Sequence, residues 1–309
     1  MLTRKRIVLP KIETAYGEDS SPDGASRVYT TTDLTATPYQ GDTAQRERLK
    51  PSFGAYAEVN VGPNSQLQFS VPLSGSGTVG TPPTFGPLLR ACGLSETVEE
   101  GVSVTYQPVT DDPESCSIYY NMDGVLQKML GCRGTVVLNA NGGSFPTLQF
   151  TMTALYARPI TQAAPTLSAI DQADEIPVNQ QNTVGNVHGH EACMSSMTLT
   201  EGNTVEYFNR VNCERIDITD RETTGAVTID AVRPDVKDYF EAIESHQGVV
   251  LAPVSMTHGK TAGNIIEVAG PKVQLSNLSP GDDRGRMQYE LSTRYLADDA
   301  DDEFTLTFK

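Results

Sequence analysis

The stretch that most limits what this chain can become is residues 131–156, GCRGTVVLNANGGSFPTLQFTMTALY. Within it, Leu148, Phe150, Met152, Ala154 and Tyr156 alternate with Thr147, Gln149, Thr151, Thr153 and Leu155. A period of two with one nearly all-apolar face describes a half-buried strand; a helix would scatter the same side chains around its circumference. The partner strand is TVVLN, residues 135–139, and the connection between them holds Asn141, Gly142 and Gly143, which tolerate positive φ. Pro146 stands at the strand entrance, where a missing N–H costs no ladder bond.

A second copy of this pattern lies more than a hundred residues on. KVQLSN, residues 272–277, corresponds to TVVLN, and MQYELSTRYL corresponds to LQFTMTALY, so Met287, Tyr289, Leu291, Thr293 and Tyr295 fall on Leu148, Phe150, Met152, Ala154 and Tyr156. Repetition at that distance indicates a duplicated domain, because solenoid units run to about 20–50 residues. The expected organisation is an arm with loops over residues 1–50, one β domain over 51–160, a linker over 161–190 and a second β domain over 191–309. Residues 157–186, which take in most of that linker, carry three prolines and little sustained periodicity.

The remaining pattern fits. Strands are expected at residues 55–61, 66–73, 102–108 and 115–121, with a turn at Met122, Asp123 and Gly124. FGPLLRAC, residues 85–92, reads as a short helix, with Pro87 early and Gly93 placed to stop it. In the second half the matching order is a strand at 225–232, a helix at 235–246, a strand at 248–256 and the final pair. About four principal strands and one helix per domain would leave sheet edges open, a unit suited to assembly. Residues 1–50 are too rich in turn formers to own a core and are expected to drape over the domain behind them or reach a neighbouring subunit.

Composition excludes several classes of protein. No apolar run approaches the roughly 20 residues of a membrane span, so a soluble protein without membrane insertion is expected. Arg4, Lys5 and Arg6 precede too few apolar residues for a signal peptide. The cysteines, Cys92, Cys116, Cys132, Cys193 and Cys213, are odd in number and without paired spacing, and read as reduced and mostly buried. A net charge of −16 argues against a surface that grips phosphates. The acidity is uneven: 12 basic and 15 acidic residues precede residue 166, and 11 and 24 follow it.

Four constellations could suggest chemistry, and each has a plainer reading. His188, His190, Glu191 and Cys193 in HGHEAC fit no structural zinc spacing, and the histidines are two residues apart rather than one helical turn. GSGTVG lacks the Gly-Lys-Ser/Thr of a phosphate loop. His258 and Lys260 beside Ser255 have no third orienting group. Asp111, Asp112 and Glu114 lack the alternation of a calcium loop and read as a hairpin tip. No catalytic residue, metal or cofactor is expected. FTLTF, residues 304–308, alternates like a short docking strand.

Several segments carry a resemblance: KIETAYG (11–17), LSGSGT (73–78), FGPLLRACGL (85–94), SVTYQPV (103–109), YYNMDGVLQKMLGCRGTV (119–136), GSFPTLQFTMTALY (143–156) and THGKTAGNIIEVAGPKVQLSN (257–277). In this order they resemble the tail tube proteins of long, non-contractile-tailed bacteriophages, the two-domain type. The resemblance implies a mainly β chain with two tail-tube domains, each a β-sandwich or half-barrel with one short helix. It further implies a non-enzymatic virion protein, assembled in the host cytoplasm, whose homotrimers form pseudo-sixfold rings that stack into a tube for DNA delivery. Its implied partners are itself, a tape measure inside, terminator and distal tail proteins at the ends, and DNA in transient, non-specific passage.

Geometry is compatible with that implication. One chain of about eight strands closes a barrel filled by its own side chains, but three chains of about 24 strands, spaced about 4.8 Å and tilted near 40°, give roughly 48 Å across and roughly 35–40 Å inside the side chains. A duplex roughly 20 Å wide passes. On this reading Gln149, Thr151, Thr153, Gln288, Glu290 and Ser292 are the candidate channel-facing residues, and an anionic or neutral wall lets DNA slide. The alternatives are another phage tail or capsid-associated structural β-protein and, from another class, a soluble β-rich metal-dependent hydrolase.

Overall fold

Alternation becomes strand pairing in the computed structural model, which describes residues 1–246 and 248–309. The first half contains β1 (Arg6–Ile12), β2 (Thr35–Gln40), β3 (Thr43–Gln45), β4 (Glu58–Asn60), β5 (Asn64–Pro72), α1 (Gly86–Ala91), β6 (Leu94–Glu99), β7 (Ser103–Pro108), β8 (Cys116–Met122), β9 (Val125–Asn141) and β10 (Thr147–Leu155). The connection carries β11 (Ile160–Thr161), β12 (Thr183–Val187) and β13 (His190–Glu191). The second half contains β14 (Met194–Thr200), β15 (Asn203–Arg210), β16 (Cys213–Arg221), β17 (Thr224–Asp230), α2 (Tyr239–Ile243), β18 (Leu251–His258), β19 (Ile266–Asp283), β20 (Arg286–Tyr295) and β21 (Thr305–Phe308). The chain is mainly β.

Eight of these strands lie side by side, all antiparallel, in the order β2–β5–β10–β9–β14–β17–β20–β19. The halves join where β9 meets β14, with Leu138 opposite Leu199 and Asn139 opposite Thr198. β9 and β19 are long because each serves two neighbourhoods. The first part of β9 pairs with β8, which also holds β1, and its last part pairs with β10 and β14. Gly131 makes the bend at φ +59, where an added Cβ would sit 2.8 Å from the Tyr16 ring. β19 likewise passes from β18 and β21 to β20.

The apolar alternation supplies the core. Leu148, Phe150, Met152 and Ala154 are buried, Phe150 stacks on its cross-strand partner Phe69 at 5.8 Å, and α1 adds Leu88 and Leu89. Buried residues from both halves form one cluster that includes Met197, Val227, Leu291 and Leu306. Pro87 begins α1, and Gly93, at φ +82, turns the chain out of it into β6. At Asp123 and Gly124 both φ values are positive, which closes the tight β8–β9 turn.

Several expectations change. Residues 135–139 pair with residues 147–151, whereas Val273 to Ser276 pair with Ser292 to Tyr295, so the two hairpins do not share a register. A bulge at Asn277, φ +49, and the tight turn at Arg284 and Gly285 shift the second one. Residues 1–50 are more than a polar arm: β1 pairs along all of β8, and Val8 and Leu9 are fully buried. The expected helix at 235–246 is confined to α2, capped by Asp238, whose side chain accepts from the backbone N–H of Phe240 and Glu241. β6, β14 and the β15–β16 hairpin had no counterpart in the expectation. β21 does dock, inserted between β19 of the second half and β7 of the first.

Candidate functional site

The six residues expected on a common face lie on one. Each alternates with a core residue: Gln149, Thr151 and Thr153 with Phe150 and Met152, and Gln288, Glu290 and Ser292 with Tyr289 and Leu291. Following the ladder from Thr151 through Thr135 on β9, then Asn139 to Thr198, Ala226 and Ser292, keeps to the same side of the sheet. The two triplets sit on strands four spacings apart, about 19 Å at about 4.8 Å per spacing. Between and beside them the face carries Gln66, Gln68, Thr135, Asn139, Thr198 and Thr228.

This field is mostly hydroxyls and amides, and the cations that share it are each paired: Arg133 with Asp217 at 2.7 Å, and Arg286 and Arg294 with acidic partners. Glu290 is exposed, but Asp230 is paired with Arg286 at 2.9 Å and Glu222 with Arg294 at 2.8 Å. The acidic excess of the second half gathers elsewhere, in exposed positions such as Glu214, Asp220, Asp298 and Asp299. A wall of this composition offers hydrogen-bonding groups and no cation cluster to hold phosphates.

The long sheet ends in two open edges. Among the described residues no strand pairs with the outer side of β2, nor with the outer side of the last part of β19, residues 278–283. The corresponding edge of β9 is the one β14 covers. Pro38 on β2 suits an edge strand, since proline cannot donate to a central ladder.

The end of the sheet where β9 bends is held by buried polar groups that the periodicity did not reveal. Glu13 accepts hydrogen bonds from the Ser115 and Ser117 hydroxyls at 2.6 and 2.8 Å and from the N–H of Gly17 and Gly131 at 2.8 Å each. Arg133 donates to the Ile216 carbonyl at 3.0 Å and to Asp217 at 2.7 Å, and Tyr16 accepts from the Ile216 N–H at 2.6 Å. Burial pushes the Tyr16 hydroxyl up to about 12 and, opposed by Asp217, draws Arg133 below its usual range. Glu201, at the end of β14, is fully buried; one oxygen accepts from the Val136 N–H at 3.3 Å and the other has no partner among the described residues. Burial raises its carboxyl well above the ordinary carboxylate range, because no cation or full set of donors among the described residues offsets the cost of charging it there.

The four other constellations resolve into scaffolding contacts. His188 bonds the Val273 carbonyl through Nε2 at 2.9 Å, and His190 packs edge-on against Tyr239. His258 bonds Thr183 at 2.8 Å and the Ile176 carbonyl at 3.2 Å, fastening the connecting segment. Burial lowers both His188 and His258. In GSGTVG, the Gly77 N–H donates to the Gly263 carbonyl at 3.0 Å, joining this loop to THGKTAGN. Glu114 forks onto Arg90 at 2.6 Å. Cys92, Cys116 and Cys132 are buried as expected, but Cys193 and Cys213 are exposed because β13 and the β15–β16 tip lie at the surface.

An open, mainly β scaffold with a broad polar face, rich in hydroxyls and amides, and unpaired edges defines a structural building block. Residues 3–305 match the family model for phage tail tube protein, and the chain belongs to that family. No curated protein matches the chain. Membership makes it a component of the virion tail that assembles with other tail components, and among the described residues no helix is long and apolar enough to cross a membrane.

Proposed function

We propose that three copies close a ring of pseudo-sixfold symmetry, and that stacked rings form the hollow tube through which phage DNA leaves the capsid. The observation that carries this reading is the β9–β14 joint. It pairs β9, the edge strand of the first half's part of the sheet, with β14, the first strand of the second, and leaves the same two kinds of edge open at β19 and β2. Pairing residues 278–283 of one copy with β2 of the next repeats the joint between chains, and three repeats close about 24 strands. Matching strand order in the two halves supports a duplicated domain. The polar face then lines the channel, with Gln149, Thr151, Thr153, Gln288, Glu290 and Ser292 on it, and DNA passes without being bound.

On this reading the protein is not an enzyme; it is assembled in the host cytoplasm around a tape measure, between terminator and distal tail proteins. Negative-stain images of concentrated protein test it. Hollow rings or tubes with a bore wide enough for a duplex are expected, and a persistent compact monomer at all concentrations would overturn the proposal.

A further inference from the structure

The two halves carry matching appendages, and the loop of one of them has no seat among the described residues. The β14–β17 connection is extended into the hairpin β15–β16; the β2–β5 connection is extended into β3–β4 and the loop at residues 46–57. These positions correspond, because β2 flanks β5 and β5 flanks β10 as β14 flanks β17 and β17 flanks β20.

The second appendage is firmly placed. Ile216 is fully buried, and its backbone joins Tyr16 and Arg133 at the bend of β9, the strand next to β14. Tyr207 of the same hairpin touches Gly62 at the root of the first appendage, where an added Cβ would lie 3.0 Å from its ring. The first appendage, by contrast, leaves Leu49 and Phe53 106% and 107% exposed. Its loop is also basic, with Arg46, Arg48 and Lys50, in a chain of net charge −16.

If the correspondence extends to the seat, the first appendage rests on whatever strand lies next to β2. In the proposed ring that strand is β19 of another copy. The matching end of its β19–β20 pair is where Val273 meets Tyr295, and the chain runs on from there into the acidic residues 298–302. Within that run Asp301 is held by Arg221 at 2.8 Å and Asp298 is paired with Lys272, while Asp299 is exposed. We propose that the β3–β4 arm of each copy clasps the second half of the adjacent copy in the same ring. Its basic loop lies along residues 298–302, and Leu49 and Phe53 leave water at that contact. This rests on the ring reading, and it assigns the arm to lateral closure within a ring. Opposite charge favours the pairing, and burial of two large apolar side chains adds to it.

The test uses full-length protein with Cys193→Ser and Cys213→Ser, carrying Leu49→Cys and Asp299→Cys, assembled and treated with a short bismaleimide. Denaturing gels are expected to show covalent dimers and trimers, with the ladder stopping at three because each copy gives one arm and receives one. A ladder running past the ring number would place the arm on another ring and overturn the proposal. So would absence of cross-links in rings visible by microscopy. Failure to form rings at all removes the ring reading and the arm with it. As a second measurement, Arg46→Glu, Arg48→Glu and Lys50→Glu together should raise the concentration needed for ring formation about tenfold, without changing the circular dichroism of the monomer. Adding Asp299→Lys should lower that concentration again; no rescue counts against the contact.

Discussion

Glu13 and Glu201 show how differently two buried carboxylates can serve one sheet. Glu13 has four donors aimed at it and ties the amino-terminal segment to β8 and to the bend of β9. Glu13→Gln would replace one carboxylate oxygen, which accepts two of these bonds, by an NH2 group whose N–H bonds face existing donors, and should destabilise the monomer by about 1–3 kcal/mol in urea unfolding. Glu201 has one bond and one orphaned oxygen, so its raised carboxyl holds a proton in the folded state that it releases in the unfolded one. Its folded value lies above its unfolded one, near 4.5; the folded state therefore binds more protons above that pH, and stability falls as pH rises. Glu201→Gln should flatten that decline at pH values above about 4.5, as read from urea midpoints; an unchanged slope would mean that the folded state does not hold the proton. Neither role could be seen in periodicity, because each depends on donors from distant parts of the chain, Val136 for Glu201 and Ser115, Ser117 and Gly131 for Glu13.

At the scale of elements, the edges carry the testable content. If residues 278–283 and β2 pair between copies, their backbone amides should exchange in seconds to minutes in the monomer and gain protection of at least about tenfold in the assembled tube. The β14 and β9 amides should already be protected in the monomer. Equal exchange in both states at β2 would mean the ring is joined elsewhere. The strand β10 was legible from its sequence because a half-buried strand writes its two faces into alternating residues. β14, MSSMTLT, was not: Met194, Ser195 and Ser196 break the alternation at a bulge. The length of β9 was also hidden, since Gly131 and Gly134 look like turn residues where the strand only bends.

For the whole molecule, a face of hydroxyls, amides and paired cations suits a channel for a polyanion, and unpaired positive charge introduced there should alter passage without altering the fold. Thr151→Lys with Gln68→Lys puts two cations per copy on neighbouring strands of that face. Tubes should still form, while DNA ejection slows and becomes more salt-dependent, because each new phosphate contact releases counterions. Unchanged ejection would mean that this face does not line the path of DNA.

The sequence by itself determined the class of structure: mainly β, a hairpin pattern in each half, a short helix between Phe85 and Gly93, and which side chains of β10 and β20 share a face. These are local properties, written in period-two alternation and in residues that permit or forbid particular backbone angles. The tertiary structure decided the rest. Hairpin register moved with one bulge and one turn length, the seat of β15–β16 depended on Tyr16 and Arg133, and β21 joined strands from both halves. Pairing across long loops is set by the total burial and hydrogen bonding of the assembled sheet, a quantity that no single segment contains.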